Sequence, residues 1–340
     1  MNTTHVAVDL AKSVFQISIS RTPGRVHTER RLSKAAFQRF FAAHEPVHVW
    51  MEACGSAHHW GRQLQAMGHH VSLLPPTDVH RYRDGNKTDR ADTKAILEAA
   101  RNGAIDPVPV KSEEQQAITA LHRLRSGYLA TRTARINAVR GHLREFGISI
   151  PLGARHVIPR ARAALEQDVV PDFLRHALLE TLEEIDALQD KAESIRKTLT
   201  RLAEHMPAAT HLMTIPGIGV LTATALVAFV GDPYRFRSGR RFAAYLGLTP
   251  REHSSGSFRR LGRITKHGNS YLRMMLIHGA RSALRAGQIS DEPDDLRRWA
   301  LELSRQKGYN VAGVALANKL ARIAWRVWRD DRPFEHRSAA

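Results

Sequence analysis

The sequence predicts an α/β amino-terminal domain, a long helical stalk and a mostly α-helical carboxyl-terminal domain with a helix-hairpin-helix-like turn. Three patterns predict this. Over residues 1–106, short apolar runs at the two-residue strand period alternate with runs at helical period. Over residues 112–206, two long stretches keep apolar residues three and four apart. Over residues 207–330, glycine-rich turns separate apolar and strongly basic segments. Residues 331–340, which include "FEHRSAA", read as a disordered tail.

The first strand is "HVAVDL", in which Val6, Val8 and Leu10 alternate with Ala7 and Asp9, and a second runs from Phe15 to Ser20. A carboxylate inside an apolar run is costly unless something pairs with it. A divalent metal is one such partner, and hard oxygen ligands suit magnesium; Glu52, Asp89 and Asp92 are the acids that can complete a site with Asp9. "RVHTERRLS" reads as a third strand, and "KAAFQRFFAAH" as a helix with Phe37, Phe40 and Phe41 at its packing spacing. "PVHVWMEACG" is a strand with Glu52 just past its centre, "SAHHWGRQLQAMG" a helix capped by Ser56, and "HHVSLLPP" a strand stopped by prolines. A basic, polar loop then runs to Lys87, and Thr88 or Asp89 caps a helix to about Arg101. Asp89 and Asp92 share one face near the start of that helix. On spacing alone, metal binding and ordinary capping both remain open for this pair. "IDPVPVKSEEQQ" reads as a linker.

The stalk follows. Residues 112–146 place Ile118, Leu121, Leu124, Tyr128, Ile136, Val139 and Leu143 on one helical face, with arginines opposite. After Pro171, Leu178, Leu182, Ile185, Leu188, Ala192, Leu199 and Leu202 make a heptad-like seam. An intramolecular hairpin and an intermolecular coiled coil both fit this seam; a stalk that helps bring subunits together is the preferred reading.

"IPGIG", residues 215–219, is a glycine-rich turn opening an apolar helix, where exposed backbone N–H groups can receive a phosphate. Next, Tyr234 to Arg273 holds ten Lys or Arg and a single acid, Glu252, with aromatics interleaved. Arg237, Arg240, Arg241 and Arg251 precede its serines, and Arg259, Arg260, Arg263, Lys266 and Arg273 follow them. With Lys87 and Arg90 of the earlier basic loop, these are the candidate phosphate contacts. Ser254 and Ser255 lie in "HSSG", where a hydroxyl can attack a phosphodiester if a base or metal activates it. Two helices, in "LRRWALELSRQKG" and "VAGVALANKLARIAWRVWRD", close the carboxyl-terminal domain.

Composition narrows the partners. The 340 residues carry 51 Lys plus Arg against 33 Asp plus Glu, a net charge of +18 that favours a polyanion, nucleic acid above all. The single cysteine, Cys54, excludes an internal disulfide and every multi-cysteine zinc site. His58 and His59 lack zinc-ligand companions at the required spacing. No apolar run is long enough to span a bilayer and no signal sequence opens the chain, so an intracellular soluble protein is expected.

At this point the motifs "VAVDLAK", "MEACGSAHHWGRQLQAMGH", "GNKTDRADTKAI", "IPGIG", "GRRFAAYLGLTPREHSSG", "RLGRITKHGNSYLRMML" and "VAGVALANKLARIAWRVW" can be taken as an ordered set spanning nearly the whole chain. The set resembles the DEDD-type insertion-sequence transposases, which are bridge-RNA-guided recombinases. The resemblance implies a ribonuclease-H-like, junction-resolvase-like amino-terminal fold, whose acids Asp9, Glu52, Asp89 and Asp92 bind Mg2+, with Mn2+ as a substitute. It implies a carboxyl-terminal serine that joins covalently to DNA, with Ser255 the first choice and Ser254 the second. It also implies double-stranded donor and target DNA, a structured guide RNA, a dimer or tetramer, and a prokaryotic, cytoplasmic, nucleoid-associated location. Two alternatives remain open from the residues: a magnesium-dependent junction-resolving endonuclease that uses water, and a non-catalytic nucleic-acid scaffold.

Overall fold

The alternation of Val6, Ala7 and Val8 sends successive side chains to opposite faces, and both faces are covered by helices. The computed structural model describes residues 4–22, 25–86, 88–167 and 169–335. It contains two compact units: Met1–Gln116 with Val227–Arg237, and Ala117–Leu226 with Ser238–Ala340.

The first unit is built on five strands: β1 (His5–Leu10), β2 (Val14–Ser20), β3 (Thr28–Ser33), β4 (His48–Glu52) and β5 (His70–Leu74). Their order is β3-β2-β1-β4-β5. β1, β2 and β3 pair antiparallel as a meander, whereas β1, β4 and β5 run parallel. Parallel neighbours need crossover helices; α1 (Lys34–Ala42) precedes β4, and α2 (Ala57–Ala66) joins β4 to β5. Their apolar stripes pack Phe37, Phe41, Trp60 and Leu64 on Val6, Val8, Phe15, Ile17, Val49 and Met51. Phe15 meets Phe37 and Trp60 edge-on at 4.9 and 5.0 Å between ring centres. A short helix, α3 (Pro76–Val79), and a 3-10 turn at His80–Tyr82 lead into α4 (Asp89–Arg101), which covers the other face.

Local capping follows the sequence with one exception. The Ser33 hydroxyl accepts from the Ala36 N–H, and that of Thr88 from the Ala91 N–H at 3.1 Å. Ser56 stands at the cap position of α2 but makes no side-chain cap bond, because its backbone is already helical. The apolar end of the linker is not free chain. The Val108 N–H donates to the Leu73 carbonyl at 2.7 Å, and Val110 fills the space above Gly61. Within the same unit Lys111 lies over the Phe229 ring, and Gln115 donates to the Gly231 carbonyl.

The second unit is helical. α5 (Glu113–Glu145, its first turn counted with the first unit) and α7 (Asp172–Glu204) are both 33 residues long, with α6 (Val157–Leu165) between them. Arg135 pairs with Glu184, and Arg132, one turn earlier, reaches Gln189, one turn later, so the two helices are antiparallel. Ile136, Val139 and Leu143 meet Leu178, Leu182 and Ile185 with Val157, Ala161 and Leu165 of α6 beneath. The heptad-like seam is therefore filled within the chain along this stretch.

Beyond it come α8 (Pro207–Met213), α9 (Val220–Val230, its last turn counted with the first unit), α10 (Gly239–Tyr245), the hairpin β6 (Pro250–Glu252) and β7 (Leu261–Ile264), then α11 (Ser270–Ile289), α12 (Asp295–Lys307) and α13 (Tyr309–Arg329). Gly217, at φ +89°, lets the turn between α8 and α9 rest directly on Gly279 of α11. His122 is buried in this unit between the Tyr271 hydroxyl and the Thr224 hydroxyl, each at 3.0 Å. Of the tail, the Phe334 N–H donates to the Thr214 hydroxyl; residues 336–340 lie outside the described residues.

Candidate active site and nucleic-acid interface

Sheet register decides which side chains share a neighbourhood. β1 and β4 pair His5 with His48 through to Val8 with Met51, and one further step sets Asp9 beside Glu52. On the other side Asp9 pairs with Gln16, and Gln16 with Arg31. Arg31, Gln16 and Asp9 thus form one row across three strands, and Glu52 stands one residue beyond the last β1–β4 pair. Asp9 in β1 and Glu52 in β4 continue the face that carries Ala7 and Trp50, which is the face under α4. α4 is fastened there by the buried hydrogen bond between the hydroxyls of Ser18 and Thr93, 2.7 Å. Its first turn carries Asp89 and Asp92.

The strand ends that carry Asp9 and Glu52 and the first turn of α4, with Asp89 and Asp92, thus lie on the same side of the sheet. Asp9 and Glu52 are half-buried at the ends of their strands. Asp92 is buried, and its Oδ1 lies 2.5 Å from Nε of Arg83. Neither atom makes a hydrogen bond: the charges are in contact, but the N–H is not aimed at the oxygen. Asp89 is exposed, 3.9 Å from Arg31, and helps line a cavity of about 270 Å³ with Gln16, Glu29, Arg31, Thr88 and Arg90.

A hard divalent cation takes carboxylate oxygens, and a buried carboxylate oxygen without a hydrogen bond has a coordination position to offer. The donor set is of the right chemistry for such an ion. Among the described residues, however, no three His, Cys, Asp or Glu groups converge closely enough to hold one. Arginines stand beside both helix acids instead. Sequence reasoning missed Arg83 and Arg31, because a loop arginine and a strand arginine carry no periodic mark of their partners.

The basic segment forms a second feature, in the second unit. Ser254 and Ser255 sit at the tip of the β6–β7 hairpin. The Ser254 hydroxyl donates to Glu252 Oε1 at 2.8 Å and accepts from the Arg260 N–H at 3.1 Å. Arg259 also pairs with Glu252, at 3.5 Å. Ser255 and Phe258 exchange backbone hydrogen bonds of 3.1 Å around a turn in which Gly256 takes φ +56°. The Ser255 hydroxyl is exposed and makes no side-chain hydrogen bond among the described residues. Glu252 was legible only as the lone acid in this basic run.

Arg240, Arg241, Arg251, Arg259, Arg260, Arg263 and Lys266 are exposed in this unit. Arg273 is half-buried and braces the fold, donating to the carbonyls of Leu246 and His267 at 3.2 and 3.0 Å. Of the remaining candidate contacts, which fall in the first unit, Arg237 is exposed, Arg90 pairs with Glu29 at 2.5 Å, and Lys87 lies outside the described residues. No helix among the described residues is long and apolar enough to cross a membrane.

An acid-lined α/β unit joined to a strongly basic helical unit is the layout of a protein that works on nucleic acid. Comparison with known proteins makes the class specific. Residues 209–293 match the model of the "Transposase IS116/IS110/IS902 family", and residues 6–148 match the IS110-type DEDD transposase model. The chain is 40% identical to a Pseudomonas aeruginosa protein named "Probable family 20 transposase", covering 96% of each chain. It is 37% identical to the transposase for insertion sequence element IS1111A of Coxiella burnetii, covering 94% of this chain and 88% of that one. It is 27% identical to the pilin gene-inverting protein of Moraxella lacunata over 99% of both. The chain belongs to the IS116/IS110/IS902 family of insertion-sequence transposases, enzymes that transfer DNA strands.

Proposed function

We propose that this transposase cuts and exchanges DNA strands through a covalent serine–DNA intermediate, at acids that hold Mg2+, with a structured RNA from its own element choosing donor and target. What supports the acid half is that the strand ends bearing Asp9 and Glu52 and the first turn of α4, bearing Asp89 and Asp92, lie on one side of the sheet. The strand order, with an antiparallel meander followed by two parallel strands, supports a ribonuclease-H-like assignment for this unit. Held by these acids, divalent ions would supply charge stabilisation for cleavage of the phosphodiester.

The chain's own groups have separate tasks. Ser255 is the nucleophile: its hydroxyl is exposed at the hairpin tip and free of the contacts that occupy Ser254. Its Oγ–H gives up a proton, Oγ bonds to phosphorus, and the P–O3′ bond breaks. The 3′ oxygen takes up a proton, and the serine keeps the 5′-phosphate. Attack by a different 3′-hydroxyl reverses these bonds and releases the serine, so bond energy is retained and no ATP is needed. The exposed arginines of the hairpin and of α10 hold DNA or RNA backbone. Glu252 fixes the hairpin by accepting from Ser254 and pairing with Arg259. A second reading takes that same Ser254–Glu252 hydrogen bond as a nucleophile with its base. Exchange of strands requires more than one active site, so a dimer or tetramer does the work. The Moraxella lacunata relative is named for inverting a gene, which supports a strand-exchange role here.

The test is strand cleavage of DNA carrying the element ends, with the protein and its co-purified RNA. D9N, E52Q, D89N and D92N each drop cleavage to background, as does a chelator, while DNA binding persists. Retained cleavage in any two of the four variants refutes the acid site.

A further inference from the structure

We propose that the first unit holds a pocket for one unstacked nucleotide of a DNA strand, built from α4, the β2–β3 loop and the turn before α4. Cations of the pocket receive the phosphate, and its apolar wall receives the base. Binding there stands apart from the proposed chemistry; only the pocket's place beside the cavity that Asp89 lines rests on that reading.

The cavity measures about 610 Å³, within the usual range for sites that take a small organic group. Helical spacing decides one wall. Lys94, Leu97 and Arg101 follow one another along α4 at steps of three and four, so they share a face. Leu97 is buried, and half-buried Val26 and Tyr82 complete the apolar part. Tyr82 is held in place: its hydroxyl accepts from the Asn102 side-chain amide at 2.6 Å. The Asn102 carbonyl oxygen accepts in turn from the Ala104 N–H at 3.0 Å. An aromatic side chain beside aliphatic ones suits a nucleobase, whichever base it is.

Charge selects the ligand class. Arg25, Arg90, Lys94 and Arg101 all line the cavity. Two of them are already neutralised, Arg101 by Glu98 and Arg90 by Glu29. Arg25 and Lys94 are exposed and make no ion pair among the described residues. Two unpaired cations on one cavity favour an anion, and the phosphodiester is the anion on which this family works. The remaining acid, Asp84, argues against a bare phosphate. It also lacks an ion pair among the described residues, and a carboxylate accepts N–H or O–H donors while repelling anions. A nucleotide carries both kinds of group: a phosphate for Arg25 and Lys94, and base donors for Asp84.

A base enters such a cavity only when it has left the helical stack, and strand transfer separates paired bases. The location agrees with that. Thr88 and Arg90 line both this cavity and the smaller one that Asp89 lines, so the two adjoin. A nucleotide seated here belongs to the strand that passes the acids.

The test is photocrosslinking of the full-length protein to a short single strand of DNA carrying 5-iododeoxyuridine, with the linked peptides read by mass spectrometry. A base adduct on Tyr82 is expected. R25A/K94A is expected to lower it about tenfold at unchanged melting temperature. R21A/R39A removes the same charge from exposed positions of the same unit that do not line the cavity, and keeps the adduct. Adducts confined to residues 234–273 overturn the pocket, and so does a Tyr82 adduct that R25A/K94A leaves unchanged. An adduct formed by the matching RNA strand and not by DNA also overturns it. D9N, which does not cut if the proposed function holds, still forms the Tyr82 adduct, so failure of the acid site and failure of the pocket are read separately.

Discussion

Replacing Gly279 with alanine tests how the glycine-rich turn of residues 215–219 is held. A Cβ on Gly279 would lie 2.0 Å from the Gly217 carbonyl oxygen, and one on Gly217 would lie 2.6 Å from the Gly279 carbonyl oxygen. Ordinary contact begins at about 3.5 Å, so turn and helix must separate by about 1.5 Å. Both sides of the clash are backbone, so no side-chain rotation relieves it. Overpacking of this kind costs about 3 kcal/mol, against a gain of about 1 kcal/mol from alanine over glycine inside α11. The net is about 2 kcal/mol of destabilisation, or a melting temperature about 4–8 °C lower for a unit of this size. The assay is thermal unfolding of the full-length protein followed by circular dichroism. G219A is the control, since nothing lies within 4 Å of its Cβ position and its φ is not left-handed; it melts at or slightly above wild type. A G279A protein that melts at or above wild type refutes the reasoning.

Three further outcomes follow from single residues. Burial lowers the His122 pKa from 6.5 to about 4, with Arg125 adding to the effect. The unfolded chain therefore binds the proton first, and stability falls as pH drops from 6.5 towards 4, by at most about 1.4 kcal/mol per pH unit from this residue. Urea midpoints at pH 6.5, 5.5 and 4.5 show it, and H122N flattens that slope. T88A removes the side-chain cap of α4 and costs about 1 kcal/mol in the same urea assay; it also loosens the turn that carries Asp89 and Asp92. R263A lowers the salt-dependence slope of DNA binding by about one without changing melting, whereas R273A lowers the melting temperature, because its guanidinium spans two carbonyls of the fold.

Elements with a clear apolar period were legible in the sequence. The strands around Val8 and Val49, the helices around Phe37 and Leu182, and the Thr88 cap all stand where alternation and capping chemistry place them. The β6–β7 hairpin was not legible, because its strands are short, exposed and basic, with no apolar face to mark them. Val108–Lys111 reads as linker because its residues are proline-flanked, yet Val108 and Val110 have an apolar surface to cover. At the candidate site, residue types mark the acids as candidates, but their neighbourhood depends on strand register. Asp9 beside Gln16 and Arg31 follows only from how β1, β2 and β3 align. Which serine is free also rests on a contact: Glu252 occupies Ser254, and sequence spacing treats the two hydroxyls alike.

The most direct measurement is a denaturing gel of the protein incubated with end-labelled element DNA and Mg2+. A labelled, protein-sized adduct that forms with wild type and S254A, and is absent with S255A and D9N, is the predicted result. Cut DNA without any protein-linked product, at equal rates in wild type and S255A, would mean that water rather than the hairpin hydroxyl attacks, and would contradict the account.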